Sequence, residues 1–135
     1  MSILGSEKIV AFLAVRDRQA AKKFYGETLG LRFLGEDQFA LMFDSNGIML
    51  RIVQVPDWTA PQFTVLGWEV TDIVAKVKEL SAAGVTFERF PWMKDQDESG
   101  IWKSPSSPEV SPVHAGARVA WFKDPSGNTL SISQV

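Results

Sequence analysis

The chain has no cysteine, one histidine and one tyrosine among its 135 residues. The first absence excludes a disulfide framework, a thiolate nucleophile and any zinc site built on cysteine. The second leaves His114 as the single candidate for imidazole acid–base or metal chemistry. Positive charge is not in excess either: 14 Lys and Arg stand against 16 Asp and Glu, a formal net charge of −2, with a pI near 5.4. That balance argues against the broad cationic face used to hold nucleic acid or an anionic membrane. No apolar run approaches the ~20 residues of a membrane-spanning helix. The opening Met1-Ser2-Ile3-Leu4-Gly5-Ser6 lacks the charged and apolar regions of a secretory signal, so a cytoplasmic protein is expected. What is present is ordinary: 45% hydrophobic and 22% charged residues, the composition of one globular domain able to bury about two-thirds of its unfolded surface.

The order of elements repeats. Within Lys8 to Val15 an almost unbroken apolar run, bounded by charge, predicts a strand covered on both faces. Asp17 is placed to cap a helix whose stripe is Ala20, Ala21, Phe24 and Thr28, and Gly30 closes it. Leu31 to Glu36, Phe39 to Asp44 and Gly47 to Val53 read as strands, with Asn46-Gly47 as the hairpin between the last two. After a Pro-punctuated linker, about 56–62, the order begins again. Thr64 to Val70 is a strand, Asp72 a cap, and Ile73, Val74, Val77, Leu80 and Ser81 a helical stripe ended by Gly84. Val85 to Arg89 is the next strand, Phe90 to Gly116 a long connection, and Ala117 to Lys123 with Thr129 to Gln134 the closing pair. Asp17 to Asp72 and Gly30 to Gly84 keep almost the same offset, which marks an internal repeat. The expectation is an α+β fold of two tandem βαβββ modules, about 8–55 and 63–135, in a single domain, with curled mixed sheets around a cleft and helices outside.

The closing stretch, Trp121-Phe122-Lys123-Asp124-Pro125-Ser126-Gly127-Asn128-Thr129-Leu130-Ser131-Ile132, reads as two strands joined by a turn in which Pro125 presets the first central φ and Gly127 supplies the exit. With Leu13-Ala14-Val15-Arg16-Asp17, Phe24-Tyr25 and Leu29-Gly30-Leu31, it resembles the vicinal-oxygen-chelate superfamily of glyoxalases, bleomycin-resistance proteins and extradiol dioxygenases, over about Lys8 to Gln134. The resemblance implies the two-module fold and a homodimer. It also implies four metal-ligand positions, which fall here on Val10, Arg51, Val65 and Ser131. Two branched alkyl chains, a guanidinium and one hydroxyl are a poor donor set for a divalent metal. No family-type metal and no other cofactor is therefore expected.

Strand alternation sorts the candidate site residues. Ala11, Leu13 and Val15, Leu50 and Ile52, Leu66, Trp68 and Val70, and Leu130 and Ile132 form large apolar faces assigned to the helices. Val10, Phe12 and Ala14, Met49, Arg51 and Val53, Val65, Gly67 and Glu69, and Thr129, Ser131 and Ser133 form mixed faces assigned to the cleft, as a small-molecule pocket requires. Arg51 in that cleft suits an anionic ligand, or an internal pair with Glu69. Glu69 could instead act as a general base. His114 reads as a surface residue of a loop, and Asp95, Asp97 and Glu98 as a solvated loop face rather than a cation loop. The segment from Phe90 to Gly116 reads equally as a lid whose Trp residues stack on a ligand or as a dimer contact.

These readings converge on a metal-free protein that binds a small, partly aromatic or apolar, possibly anionic organic molecule. Arg51 and Ser131 would orient it, and Phe12, Trp92, Trp102 and Trp121 would enclose it, with Glu69 nearby. The alternative is a metal-dependent glyoxalase-like lyase or isomerase, or a ring-cleaving dioxygenase, using atypical ligands such as Glu69 or His114. A purely protein-binding role for the Trp-rich segment is a third.

Overall fold

The structure, a computed structural model, describes residues 2–93, 95–105 and 115–135. The chain divides into two compact units, Met1–Thr59 and Ala60–Val135. The first holds β1 (Val10–Val15), α1 (Arg18–Lys23), a π-helical turn (Phe24–Thr28), β2 (Arg32–Glu36), β3 (Leu41–Ser45) and β4 (Ile48–Gln54). The second holds β5 (Thr64–Glu69), α2 (Ile73–Ala82), β6 (Trp102–Lys103), β7 (Arg118–Lys123) and β8 (Thr129–Gln134). Each unit has one four-stranded mixed sheet, ordered β1-β4-β3-β2 and β5-β8-β7-β6. In both, the first strand pairs parallel with the last and the remaining pairs are antiparallel. The expected α+β fold of tandem βαβββ modules is what the chain adopts.

Local chemistry explains the repeat. Asp17 accepts hydrogen bonds from the N–H groups of Gln19 and Ala20, and Asp72 from that of Ala75, so each helix opens on a carboxylate that satisfies orphan donors. A second device also repeats. The Gln54 side chain at the end of β4 accepts from Arg18 N–H, and the Gln134 side chain at the end of β8 accepts from Ile73 N–H, each at 2.9 Å. A glutamine on the last strand of each unit thus holds the first helical residue over the strand beside it. In α1 the helix widens in its final turn, where Leu29 N–H reaches back to Phe24 O. Tyr25, fully buried, sits there in edge contact with Phe24 at 5.2 Å and near Phe43 at 6.4 Å.

The two-sided sorting of the strands holds in the sheets. Leu13, Val15, Leu50 and Ile52 are buried in the first, and Leu130 and Ile132 in the second, while their alternate neighbours are half-buried or exposed. Trp68 is half-buried on β5. The Asn46-Gly47 hairpin has φ of 50° and 89° at its two central residues, the left-handed pair that a type I′ turn needs.

One expected strand is corrected. Val85 to Arg89 forms no strand; Phe87 makes an isolated bridge to Phe122, and the second strand of the module is Trp102–Lys103, from inside the segment expected to be a connection. The cause is an excursion, residues 89–93 and 95–101 of the described chain, that leaves the sheet edge after Glu88 and returns at Trp102.

The closing turn is densely hydrogen-bonded. Gly127 N–H donates to Asp124 O at 3.0 Å, and the Asp124 carboxylate accepts from Ser126 N–H, Asn128 N–H and the Asn128 side-chain amide, all at 2.9 Å. Asp124, Ser126 and Asn128 are all buried. Removing the carboxylate would strand three buried donors, each costing about 1–3 kcal/mol unless relaxation or water relieves it. Asp124→Ala is therefore expected to lower the unfolding free energy by about 3 kcal/mol. Urea denaturation followed by circular dichroism checks this, and a loss within experimental error of zero would contradict the role given to the turn.

Candidate functional site

The face of each sheet away from its helix carries the residues of interest. In the first unit, register places Val10 beside Met49, and Phe12 beside Arg51, which faces Met42 on its other side. Phe12 is 68% exposed. Arg51 is half-buried, with its guanidinium 4.0 Å from the Asp37 carboxylate. Asp37 lies just past β2 and was not singled out by sequence. The Asp37-Gln38-Phe39 run is an Asx-turn signal, and its carboxylate accepts from Phe39 N–H at 2.8 Å and Ala40 N–H at 2.9 Å. Those two backbone bonds, Ala40 first, hold the Asp37 carboxyl below its usual range, helped by the charges of Arg51 and Arg18. Arg18 also donates to the carbonyls of Asp37 and Ala40. Arg51 thus stands beside an anion of its own unit.

In the second unit the open face is aromatic. Trp121 on β7 is directly opposite Ser131 on β8, which is opposite Gly67 on β5. The next row runs Trp102, Val119, Ser133, Glu69. Four rings follow one another: Trp102 to Trp121 at 6.1 Å, Trp121 to Phe90 edge-on at 5.5 Å, and Phe90 stacked on Trp92 at 5.5 Å. Trp92, at the outer end, is 73% exposed. A Cβ on Gly67 would lie 2.6 Å from Ser131 Oγ, so the hydroxyl occupies the space above a bare stretch of β5. The result is a ledge of backbone, a row of hydroxyls from Thr129, Ser131 and Ser133, and a wall of rings. Lys123 closes one end in a pair with Glu88 at 3.5 Å.

The structure therefore links Trp92, Trp102 and Trp121 in one run of rings in which Trp121 lies beside Ser131 and Phe90 joins Trp92 to Trp121. Glu69 is exposed at the end of the same sheet face. Val65 lies where the β5–β8 register shifts, between Thr64 and Leu66. His114 lies outside the described residues. Of the acidic group, Asp97 turns inward on its own loop, accepting from Ser99 N–H, Ser99 Oγ and Ile101 N–H. Among the described residues, no three His, Cys, Asp or Glu side chains gather as a metal site would require. No helix among them is long and apolar enough to cross a membrane.

A separate hollow of about 550 Å³ lies on the helix side of the first sheet, walled by Gln19, Lys22, Lys23 and Phe33 among others. Lys22 is already committed there, to Glu36 at 2.9 Å and over the Phe33 ring at 4.8 Å. The Lys22 hydrogen bond is the main reason the Glu36 carboxyl is held low.

Asp97 gives a pH signature. Burial alone would push its carboxyl up, but the Ser99 hydroxyl and the N–H groups of Ile101, Ser99 and Gly100 together hold it below the usual range. A depressed folded value means that its stabilising effect is complete above the unfolded carboxylate value, about 3.9, and is lost as pH falls through the folded value. The turn from Asp97 to Ile101 is therefore expected to open only in acid, below about pH 4. The amide NMR shifts of Ser99 and Ile101, followed from neutral pH down to strong acid, check this; shifts that never move would contradict it.

The whole-chain comparisons agree with the fold. The crystal structure of TnmS3, an antibiotic binding protein from Streptomyces sp. CB03234, superposes with a TM-score of 0.67 at 22% identity, covering 98% of each chain. A glyoxalase family protein from Enterococcus faecalis gives 0.65 at 20% identity, over 98% of this chain and 99% of that one. A lactoylglutathione lyase from Agrobacterium tumefaciens gives 0.63 at 14% identity, over 96% and 93%. None of the curated proteins compared with the chain is significantly similar to it. The sequence profile of one superfamily matches residues 8–132, and with that match the repeat, the strand order and the closing turn have a common explanation: the chain belongs to the Glyoxalase/Bleomycin resistance protein/Dioxygenase superfamily.

Proposed function

We propose that the protein binds a small, flat aromatic molecule on the open face of its second sheet and holds it rather than transforming it. The observation that carries this reading is the continuous run of Trp102, Trp121, Phe90 and Trp92 beside Ser131. Four adjoining rings offer a flat ligand both buried area and ring contacts worth about 0.5–1.5 kcal/mol each beyond that area. Ser131, whose hydroxyl sits over the bare backbone at Gly67, supplies a directional hydrogen bond. TnmS3 shares the fold and is an antibiotic binding protein; sequestration of an antibiotic-like aromatic compound is the corresponding role here.

The anion-clamp role of Arg51 is the weaker reading, because Asp37 already faces the guanidinium and offsets its charge. The metal-dependent alternative, suggested by likeness to a lactoylglutathione lyase, meets an unsuitable donor set. Val10 and Val65 carry no donor atom, Arg51 repels a cation, and Ser131 offers one neutral hydroxyl. No lyase, isomerase or dioxygenase step is derived from such a set, and metal-independent binding is the function we infer.

Titration of the intrinsic tryptophan fluorescence with 3-hydroxyflavone, a neutral planar probe, and with 1-naphthoate, an anionic one, tests this reading. The neutral probe is expected to quench saturably. Trp121→Ala should weaken it by about tenfold or more, equivalent to ~1.4 kcal/mol, and Ser131→Ala by a few-fold. Arg51→Ala should leave it unchanged. Preference for 1-naphthoate that disappears in Arg51→Ala would move the site to the first unit and overturn the proposal. Elemental analysis of the purified protein tests the metal-free inference, and stoichiometric zinc, nickel, iron or manganese would contradict it.

A further inference from the structure

The edge of the second sheet is broken in the middle. Phe87 bridges Phe122, and Glu88 N–H donates to Trp121 O at 2.7 Å; further along, Trp102 pairs with Val119 and Lys103 with Arg118. Both fragments run antiparallel to β7 and follow one another along the same edge, with an excursion between Glu88 and Trp102. A chain that leaves a ladder abandons its backbone hydrogen bonds, and each polar group left buried without a partner is costly.

Two side chains span the break: the Arg89 guanidinium donates to the carbonyls of Gln96 and Asp97, and the Gln96 amide reaches the backbone at both ends. Gln96 Nε2 donates to Glu88 O and to Gly100 O, both at 2.8 Å, and Gln96 Oε1 accepts from Phe90 N–H at 2.9 Å. Its partners stand on both sides of the interruption, so the amide does the work of the absent strand residues. Gln96 also makes an antiparallel backbone bridge to Trp102. The junction is tight as well: Gly100 has φ of +93°, and a Cβ there would lie 3.2 Å from Phe87 Cβ. Phe90, whose N–H the amide holds, is the ring that touches Trp121 and stacks on Trp92.

We propose that Gln96 is the positioning residue of the aromatic face: by closing the break in the edge strand it sets Phe90, and through it Trp92, against Trp121, and so fixes the shape that a flat ligand meets. The ligand part rests on the binding reading above; the placement of the rings does not. An amide is suited to this task because it presents two donors and an acceptor in one plane, which neither a carboxylate nor an alkyl chain can do. Without it the excursion keeps its inner turn, built on Asp97, but loses its register with the sheet.

The test is a double-mutant cycle between Gln96→Met and Phe90→Ala, read by acrylamide quenching of tryptophan fluorescence and by 3-hydroxyflavone affinity, with far-UV circular dichroism reporting the sheets. Gln96→Met, close in length to the native residue, is expected to keep the native dichroism, to make the tryptophans more accessible to acrylamide, and to weaken the probe about tenfold. Phe90→Ala should do the same, and the double variant no more than either alone, since one residue acts through the other. Additive losses, or native-like quenching in Gln96→Met, would overturn the proposal. So would collapse of the sheet signal, for that would assign the amide to the fold as a whole. If the unaltered protein fails to bind 3-hydroxyflavone, the binding reading falls, and the acrylamide cycle alone decides for or against Gln96.

Discussion

The position of the last strand of each unit is the constraint on which the rest depends. β4 and β8 each lie inside their sheet, parallel to the first strand on one side and antiparallel to the preceding strand on the other. Their inward residues, Leu50 and Ile52 or Leu130 and Ile132, are buried under the helices, and their terminal glutamines hold the helix starts. Their alternate residues, Arg51 and Ser131, must then face the open side. A slip of one residue would exchange these sets and put a guanidinium into the core. Core, helix placement and candidate site are consequences of one register.

The two open faces have diverged in chemistry although they share an architecture. The first carries an arginine with its own carboxylate partner, beside an exposed phenylalanine. The second carries aromatic rings and hydroxyls, with Glu69 at one end. The divergence follows from the excursion between Glu88 and Trp102, which has no counterpart in the first unit and which brings Phe90 and Trp92 to the sheet. An insertion at a sheet edge is tolerated because loop entropy rises slowly with length, provided that the abandoned backbone groups find partners. The side chains of Arg89, Gln96 and Asp97 provide them.

The helix caps, the Asn46-Gly47 and Asp124–Asn128 turns and the two faces of the strands were legible in the residues, because each rests on chemistry between near neighbours or on a period of two. The second strand of the second module was not. Val85 to Arg89 has the pattern of a strand, but on the free edge of β7 Trp102–Lys103 pairs with Arg118 and Val119, and only the Phe87 bridge to Phe122 and the Glu88 hydrogen bond to Trp121 remain for the earlier segment. Asp37 beside Arg51 escaped notice for a related reason, since their approach is set by sheet register and not by spacing along the chain. The three candidate tryptophans were recognisable by type alone; that Phe90 links two of them depends on where the excursion leaves the sheet.

Residue order thus specified the repeat and the family, since neither needs knowledge of a distant contact. Folding in three dimensions decided that Trp102 enters the sheet, that Gln96 closes the gap and that four rings meet beside Ser131. These outcomes turn on how two fragments share one strand edge, which is settled by the long-range pairings that leave the fewest backbone groups unsatisfied.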